Sequence, residues 1–554
     1  MESPDRRFKM KWWGWGAEGV RFPLPTSEVT LEYFRSRFGL TRLEPAAELP
    51  LESVEIPPSR ADAELVGALG EIVGPENCRT DHRERVLHSA GKSYKDLLQL
   101  RSLRLDRATD AVVYPRSEGE VVELLEYCGR ERLAVVPFGG GSSVVGGIDP
   151  QQGDQRLVVT VDLAYLNQIL EINKTSSTAT VEAGIFGPEL ESQWRNQGFV
   201  LGNYPQSFEF STLGGWIATR SSGQNCLRYG GIDKLVESVR IVTPAGTVET
   251  LHVPRRADGP DTMQMIVGSE GTFGIVVSAT VRVRKLPADQ DYFMFAMTNF
   301  HAAVDACRSM LQGDVCPALV RISDEEETAA TLALGHQPAK GLRRVVRRGA
   351  KWLMQRRGLL PPSLSTVLVG LEGAAEQNRA LRSTVRRHFA SRDAFYLGRS
   401  PGQRWLETRF QLPYLRDELL ANGLLVDTLE TATTWSNVES LHAAVREAIK
   451  RVGSEHGNPV TVYAHLSHLY RDGAAIYFTL LGRQSPDDPV GQWWAIKNAA
   501  GDAIRQHGAV ISHHHGVGTD HRAQTGRTDV EQRMLSQLKQ AVDPDGIMNP
   551  GKLL

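Results

Sequence analysis

Three short stretches of this chain combine glycine with hydroxyl side chains in the way a phosphate-bearing ligand requires. The first is Pro137-Phe138-Gly139-Gly140-Gly141-Ser142-Ser143, continuing to Gly146-Gly147. Backbone N–H groups reach a phosphate only where side chains do not intervene. Glycine also permits positive φ, and the two serines add donors. The second stretch runs Gln206-Ser207-Phe208-Glu209-Phe210-Ser211-Thr212, passes Gly214-Gly215, and ends in Thr219-Arg220-Ser221-Ser222. Its small residues suit a helix start packed closely on a ligand, although an ordinary Ser/Thr-capped helix looks the same. The third is Gly268-Ser269-Glu270-Gly271-Thr272-Phe273-Gly274-Ile275-Val276. Taken singly, each is equally a turn. Together, between strands or at a helix start, they point to an extended ligand containing a pyrophosphate. Ser512-His513-His514-His515-Gly516 offers different chemistry. Imidazoles exchange protons, donate hydrogen bonds or bind metals near neutral pH. On a straight strand His513 and His515 face one way and His514 the other, so a single ion cannot take all three without a kink.

The elements that must position these residues follow from pattern. An apolar run, Leu133 to Phe138, enters the first glycine loop, and another, Leu157 to Val161, leaves it. This reads as strand, loop, strand. A Rossmann fingerprint would place a helix directly after the glycines; the competing reading is a glycine-rich hairpin with no ligand. Ala111 to Pro115 reads as a short strand, and Ser117 with Glu120 forms a capping box for the helix Val121 to Cys128. Thr178 to Ala183 alternates as a strand, Gly187-Pro188 opens a helix, and Val277 to Val283 is a long strand. Upstream, Ser27 to Phe38 is helical, and Trp12, Trp13 and Trp15 cap a core or an interface. The His- and Arg-rich run Asp81 to Tyr94 reads as a solvated helix-and-loop segment.

Composition narrows the class. A chain of 554 residues holds two or three domains. A net charge of −2 gives no reason to expect a nucleic-acid partner. Five scattered cysteines with no CxxC pair fit reduced thiols in a cytoplasmic setting. Neither a signal peptide nor a membrane-spanning stretch is apparent. In Lys340 to Arg357, apolar residues recur at helical spacing between Arg343, Arg344, Arg347 and Arg348. Such a segment can lie on the inner face of an anionic membrane, or be a solvated helix or disordered insert.

The three glycine stretches, in this order and spacing, resemble the FAD-binding domain of the vanillyl-alcohol-oxidase superfamily. That resemblance implies an α+β fold: a two-subdomain PCMH-type FAD-binding domain at 104–287, an α/β cap domain at 288–510, a helical N-terminal segment at 1–103, and a C-terminal segment, 511–554, returning to the flavin. It places adenine and pyrophosphate on residues 137–143 and the ribityl and flavin end along 206–222 and 268–276. The first loop lacks the histidine that bonds covalently to flavin in some relatives, so noncovalent FAD is expected.

Within the superfamily the chain is similar to the alkyldihydroxyacetonephosphate synthase family. The match is carried by Ser512 to Gly518, by Tyr414-Leu415-Arg416-Asp417 and by Ala474-Ala475-Ile476-Tyr477-Phe478, with weaker support from Leu429-Glu430-Thr431 and Trp435. The resemblance implies exchange of the acyl group of acyl-dihydroxyacetone phosphate for a long-chain alcohol, with FAD as a covalent catalyst and no net redox change. Arg416 then binds the substrate phosphate. Tyr477 acts as acid/base with a lowered pKa, and His513, His514 and His515 surround flavin and substrate. Read without the family, Arg416 is a surface ion pair with Asp417 or Glu418, and Tyr477 is one residue of a buried strand. The expected partners are lipid substrates, with a homodimer left open. Two departures stand out: Asn203 replaces a histidine of animal relatives, and His465 and His468 are additions. A histidine at the place of His465 helps to bind a metal in FAD-dependent D-2-hydroxyacid dehydrogenases. That class, with His465 and His514 as metal ligands, is the alternative; no metal is assigned.

Overall fold

The computed structural model describes residues 10–25, 27–334 and 352–554. Valine-rich segments buried on both faces build the first sheet. β2 (Ala111–Val113) and β3 (Ala134–Phe138) both run parallel to β4 (Val158–Asp162), and β1 (Cys78–Arg79) pairs antiparallel with β2. Parallel pairing of β3 with β4 rules out a hairpin at the first glycine stretch, because a tight turn can only join antiparallel strands. The chain crosses from one strand to the next through an irregular loop carrying all the glycines.

A second, antiparallel sheet runs in the order β5-β6-β10-β8-β9, with β5 at Ile169–Asn173, β6 at Thr178–Glu182, β8 at Val236–Thr243, β9 at Gly246–Glu249 and β10 at Ile275–Arg282. A short pair, β7 (Phe199–Val200) with β11 (Arg284–Lys285), lies beside it. Both large sheets share one apolar core, containing Leu124, Val135, Val159, Val181, Trp216, Val239 and Val277.

The remaining strands form one seven-stranded antiparallel sheet in the order β15-β12-β14-β13-β17-β18-β16. They are β12 (Asp289–Met297), β13 (Leu319–Ser323), β14 (Ser365–Gly373), β15 (Phe395–Gly398), β16 (Leu424–Thr434), β17 (Val460–Leu469) and β18 (Gly473–Arg483). Its register sets Tyr477 on β18 directly between Glu430 on β16 and His465 on β17.

The helix Glu28–Phe38 forms as its pattern predicts, with the Thr30 N–H donating to the Ser27 side chain at 3.2 Å. The N-terminal region divides between the two cores. Trp12, Trp13, Phe34 and Phe38 pack with the seven-stranded sheet, whereas Leu65, Leu69 and Val73 pack with the first two sheets. Trp15 meets Phe210 edge-on at 5.8 Å. The run Asp81 to Tyr94 contains the helix His82–Leu87, but it is not solvated: Glu84, Arg85, His88 and Lys92 are all buried. Each has a partner that makes burial tolerable. Arg85 donates to Thr109 O at 2.7 Å, His88 lies 2.9 Å from Asp162, and Lys92 donates to Lys11 O at 3.0 Å and Trp12 O at 3.1 Å. Residues 340–351 of the basic amphipathic segment lie outside the described residues. Its remainder is a helical turn in which Arg356 covers the Trp352 ring at 4.0 Å.

Candidate active site

The first glycine loop is a row of available donors. Among the described residues, no backbone N–H from Gly139 to Ser143 donates to a protein acceptor. Consecutive free amides of this kind form an anion-binding nest. The glycines are also demanded by packing. A Cβ on Gly140 would stand 2.0 Å from Phe210 O, one on Gly139 2.4 Å from Thr212 Oγ1, and one on Gly271 2.9 Å from Pro137. The three stretches are therefore pressed against one another, and the free amides fit the pyrophosphate of FAD.

Many side chains of the other two stretches have partners of their own. Thr212 Oγ1 accepts from the Gly215 N–H at 3.2 Å and caps the short helix Leu213–Ala218. Ser207 donates to Ser211, which also accepts from Trp216 Nε1, and Phe208 stacks between Trp216 and Phe410. Gln206 donates to Arg409 O, Thr219 to Gly215 O, and Arg220 to Gln264. Glu209 approaches the Tyr414 hydroxyl at 3.4 Å. The Glu270 carboxylate accepts the N–H groups of Val517 and Gly518, both at 2.7 Å. Thr272, Phe273, Ile275 and Val276 are buried where the chain enters β10, and Gly274 lies against the Val242 carbonyl. Ser221 and Ser222 are buried, and Ser222 reaches His468. Asn203 is fully buried, with neither amide atom hydrogen-bonded among the described residues.

The histidine run is a bend, not a strand, and the cause is a glutamate. Glu430 Oε1 accepts the Ser512 hydroxyl at 2.9 Å and the backbone N–H groups of His513, His514 and His515 at 2.9, 2.7 and 2.9 Å. Four donors on one oxygen wrap the backbone around it and overturn the alternating arrangement expected of a strand. Glu430 Oε2 lies 2.9 Å from His514 Nδ1. Burial opposes ionisation of Glu430, yet His514, through proximity and a hydrogen bond, and then His515 and His513 outweigh it and hold the carboxyl well below its usual range. Burial pushes His513 down to about 4 and His515 to about 3, so both are neutral at physiological pH.

Tyr477 is half-buried among these groups. Its ring stacks on His465 with centroids 4.8 Å apart and meets His515 edge-on at 5.6 Å. Burial raises its pKa to about 12, with Glu430 and Asp427 adding to the rise and Thr428 and Arg416 opposing it, the reverse of the lowering expected. His465 does not join His514. Its Nδ1 lies 2.9 Å from Glu327, which also pairs with Arg321 at 2.8 Å, and the Tyr477 ring contacts both imidazoles. Among the described residues, the clusters able to hold an ion contain His514 but not His465, so the ligand pair of the dehydrogenase alternative is not assembled.

Arg416 lies in the first turn of the helix Leu415–Ala421 and is half-buried with Nε and Nη2 enclosed, not part of a surface pair. Asp417 is occupied by Lys11 at 3.3 Å and by the Trp15 N–H. Arg416 Nη1 donates to Lys92 O at 2.6 Å and Nη2 stands 3.6 Å from Asp427, while Nε and Nη2 have no hydrogen-bond partner. Asp427 is already held by Trp493 Nε1 at 2.7 Å and Lys497 at 3.3 Å. Buried guanidinium donors left open are costly unless an anion occupies them. Lys92, Asp427 and Lys497 are not singled out by the sequence, and Glu430 enters there only as weaker support for the family match, with no role. The signal for Asp427 and Glu430 is a pair of acidic residues inside the strand β16.

A nest of free amides between two interlocked sheets, with an antiparallel cap carrying buried polar groups, defines a FAD-linked enzyme of the two-domain kind. Residues 109–252 match the family described as FAD binding domain, and 286–553 match FAD linked oxidases, C-terminal domain. The chain is 32% identical to the alkyldihydroxyacetonephosphate synthase of Trypanosoma brucei brucei, over 99% of this chain and 92% of that one. It is 34% identical to that of Dictyostelium discoideum, over 92% and 84%. A solved alkyldihydroxyacetonephosphate synthase superposes with a TM-score of 0.84 at 31% identity, covering 99% of both chains. A p-cresol methylhydroxylase, with TM-score 0.64 and 16% identity over 88% of this chain and 96% of that one, shares the fold alone. The chain belongs to the alkyldihydroxyacetonephosphate synthase family, and FAD is its cofactor. Among the described residues, no helix is long and apolar enough to cross a membrane.

Proposed function

We propose that the protein makes the ether bond of ether lipids, exchanging the acyl group of acyl-dihydroxyacetone phosphate for a long-chain alcohol and releasing a fatty acid. The observation that carries this reading is Arg416: a buried guanidinium, aimed by Lys92 O, with Nε and Nη2 open. Such a group suits a phosphate monoester, which accepts several N–H bonds from one planar fork. A 2-hydroxy acid lacks that phosphate.

Residues 137–143, 206–222 and 268–276 would hold FAD noncovalently, and the flavin would supply covalent catalysis of the exchange with no net redox change. Arg416 fixes the phosphate end and thereby the distance from phosphate to reacting carbon. Tyr477 carries the proton that leaves and returns at that carbon. With a pKa near 12 its hydroxyl is protonated at rest, so it must first release that proton to solvent before it can accept the one leaving the carbon, which it then returns. His513 and His515, neutral at rest, offer hydrogen bonds without placing a fixed charge beside the phenol. Glu430 keeps the run bent toward it. Peripheral contact of 340–357 with an anionic membrane, where both substrates partition, belongs to the same proposal.

Purified protein incubated with palmitoyl-dihydroxyacetone phosphate and hexadecanol is expected to yield hexadecyl-dihydroxyacetone phosphate. With D-lactate and a redox dye it should reduce nothing. Dye reduction without ether product would replace the transferase reading with the dehydrogenase. Acid precipitation should release the flavin into the supernatant; yellow colour retained by the pellet would contradict noncovalent attachment.

A further inference from the structure

The bend around Glu430 does more than aim side chains at Tyr477. It brings ligand atoms together at distances that match one coordination sphere. His513 Nδ1 and His514 Nδ1 are 3.1 Å apart, His514 Nδ1 is 2.9 Å from Glu430 Oε2, and His513 Nδ1 is 3.8 Å from the same oxygen. Zinc bonds nitrogen and oxygen at about 2.0–2.1 Å, so neighbouring ligand atoms in a tetrahedral site stand about 3.3–3.4 Å apart. These three atoms already approximate one face of such a tetrahedron.

A fourth ligand comes from β17. Ring nitrogens of His468, His513 and His514, one from each, lie within 4.8 Å of one another, and the His468 ring lies 4.9 and 4.7 Å from theirs; Glu430 groups in the same way with His514 and His515. A β-bulge places it there. The register pairs Leu466 with Ile476 but then His468 with Ala475, leaving Ser467 as the extra residue. Without the bulge Ser467 would oppose Ala475. With it, His468 takes the face shared by Ala475 and Tyr477, toward the bend. The side chain is almost wholly buried, Ser467 Oγ sits 2.9 Å from Nδ1, and Nε2 completes no hydrogen bond although the Ser222 backbone reaches the ring. One ring nitrogen is thus oriented by a hydroxyl, as in metal-ligating histidines, while the other has only that contact. Glu430 is prepared in the same way: four donors saturate Oε1 and leave Oε2 facing the imidazoles.

We propose that Glu430, His468, His513 and His514 form a binding site for one divalent transition-metal ion of the zinc type. Three imidazoles and one carboxylate favour Zn2+ over Mg2+ or Ca2+, which take oxygen ligands. The site is separate from the His465–Glu327–Arg321 group but shares His513, His514 and Glu430 with the surroundings of Tyr477, so an ion bound there would place a positive charge near the phenol that the metal-free site lacks.

Isothermal titration of the flavin-loaded, full-length protein with Zn2+ at neutral pH tests it. The expected result is one ion per chain, with affinity weakened by at least about 10-fold in His468→Gln. Equal affinity and stoichiometry in the wild type and His468→Gln would overturn the site, as would no saturable binding. Zinc-edge X-ray absorption of the wild-type protein is independent of how the variant folds. A first shell of imidazole nitrogen plus one carboxylate oxygen is expected; a shell of water oxygens alone, or one containing sulfur, would sink the proposal.

Discussion

Removing Tyr477 and removing Arg416 should cause losses of different kinds. Tyr477→Phe keeps the ring stacked on His465 but deletes the transferable proton. The expected effect is a fall in kcat of roughly 10²–10⁴-fold with flavin binding intact. Because burial holds the phenol near 12, any limb of the kcat–pH profile due to Tyr477 should lie above about pH 10, in the range of an unperturbed or raised phenol. A limb near neutrality that vanishes in Tyr477→Phe would contradict this. Arg416→Ala should act through binding instead. It removes phosphate contacts present in both ground and transition states, so KM rises more than kcat falls. Loss of a desolvated charge contact costs about 2–5 kcal/mol, seen as a large drop in kcat/KM. Unchanged substrate binding would place the phosphate elsewhere. The sequence revealed which residues to test but not their surroundings. Arg416 takes its partners from Lys92 and Asp427, far away in the chain, and no local pattern distinguishes a buried arginine from a surface one. The direction of the Tyr477 shift is unreadable for the same reason: it is set by burial and by Glu430 and Asp427, which lie on another strand.

Strands and helices were largely legible because alternation and caps are local properties. Ser27 and Ser117 cap the helices they precede, and the strands around the first glycine loop fall where the apolar runs lie. Pairing was not legible. That β3 and β4 run parallel, and that β17 carries a bulge before His468, follow from contacts between segments. The histidine run reads as strand in the sequence because the residue that bends it, Glu430, lies on another element. The β13–β17 pairing supports a prediction of the same type. Glu327, in the helix Glu325–Leu334, sits between Arg321 on β13 and His465 on β17. Burial opposes its charge, but Arg321 and His465 overcome this and bring the carboxyl down to about 2. His465 is itself pushed down by burial, so Arg321 supplies the charge and His465 a hydrogen bond. A depressed carboxyl stabilises the fold above its unfolded pKa, and that stability is lost as pH falls from about 4.5 to 2. The shift amounts to about 3 kcal/mol. Glu327→Gln should therefore lose stability at pH 7 and converge toward the wild type near pH 3 in urea unfolding. A gap between the two that stays constant across that range would refute the coupling.

At the scale of the whole molecule, the cofactor cradle is closed by a residue that touches none of the proposed chemistry. Asn549 is buried and donates from Nδ2 to Glu270 O at 2.7 Å and Gly147 O at 3.1 Å, while its backbone N–H donates to Val135 O at 2.8 Å. One side chain thus ties the first glycine loop to the third stretch, and its backbone fixes both to β3. The sequence suggests that the terminus closes the fold but does not single out this asparagine. Its φ is +40°, a region where asparagine and glycine are tolerated and a Cβ with no polar group is not. Two costs can therefore be separated. Asn549→Gly removes the side-chain hydrogen bonds and leaves two buried carbonyls short of a donor, about 1–3 kcal/mol. Asn549→Ala carries the same loss plus about 1–2 kcal/mol for the left-handed backbone. The alanine variant should be the less stable of the two in urea unfolding of the flavin-loaded protein, the opposite of the usual preference for alanine over glycine. Both should release FAD more readily, because the free amides of 139–143 depend on that loop being held against 268–276. If Asn549→Ala equals or exceeds Asn549→Gly in stability, the backbone at this position is not strained. If both retain FAD as the wild type does, the cradle does not depend on its closure from the C-terminal side.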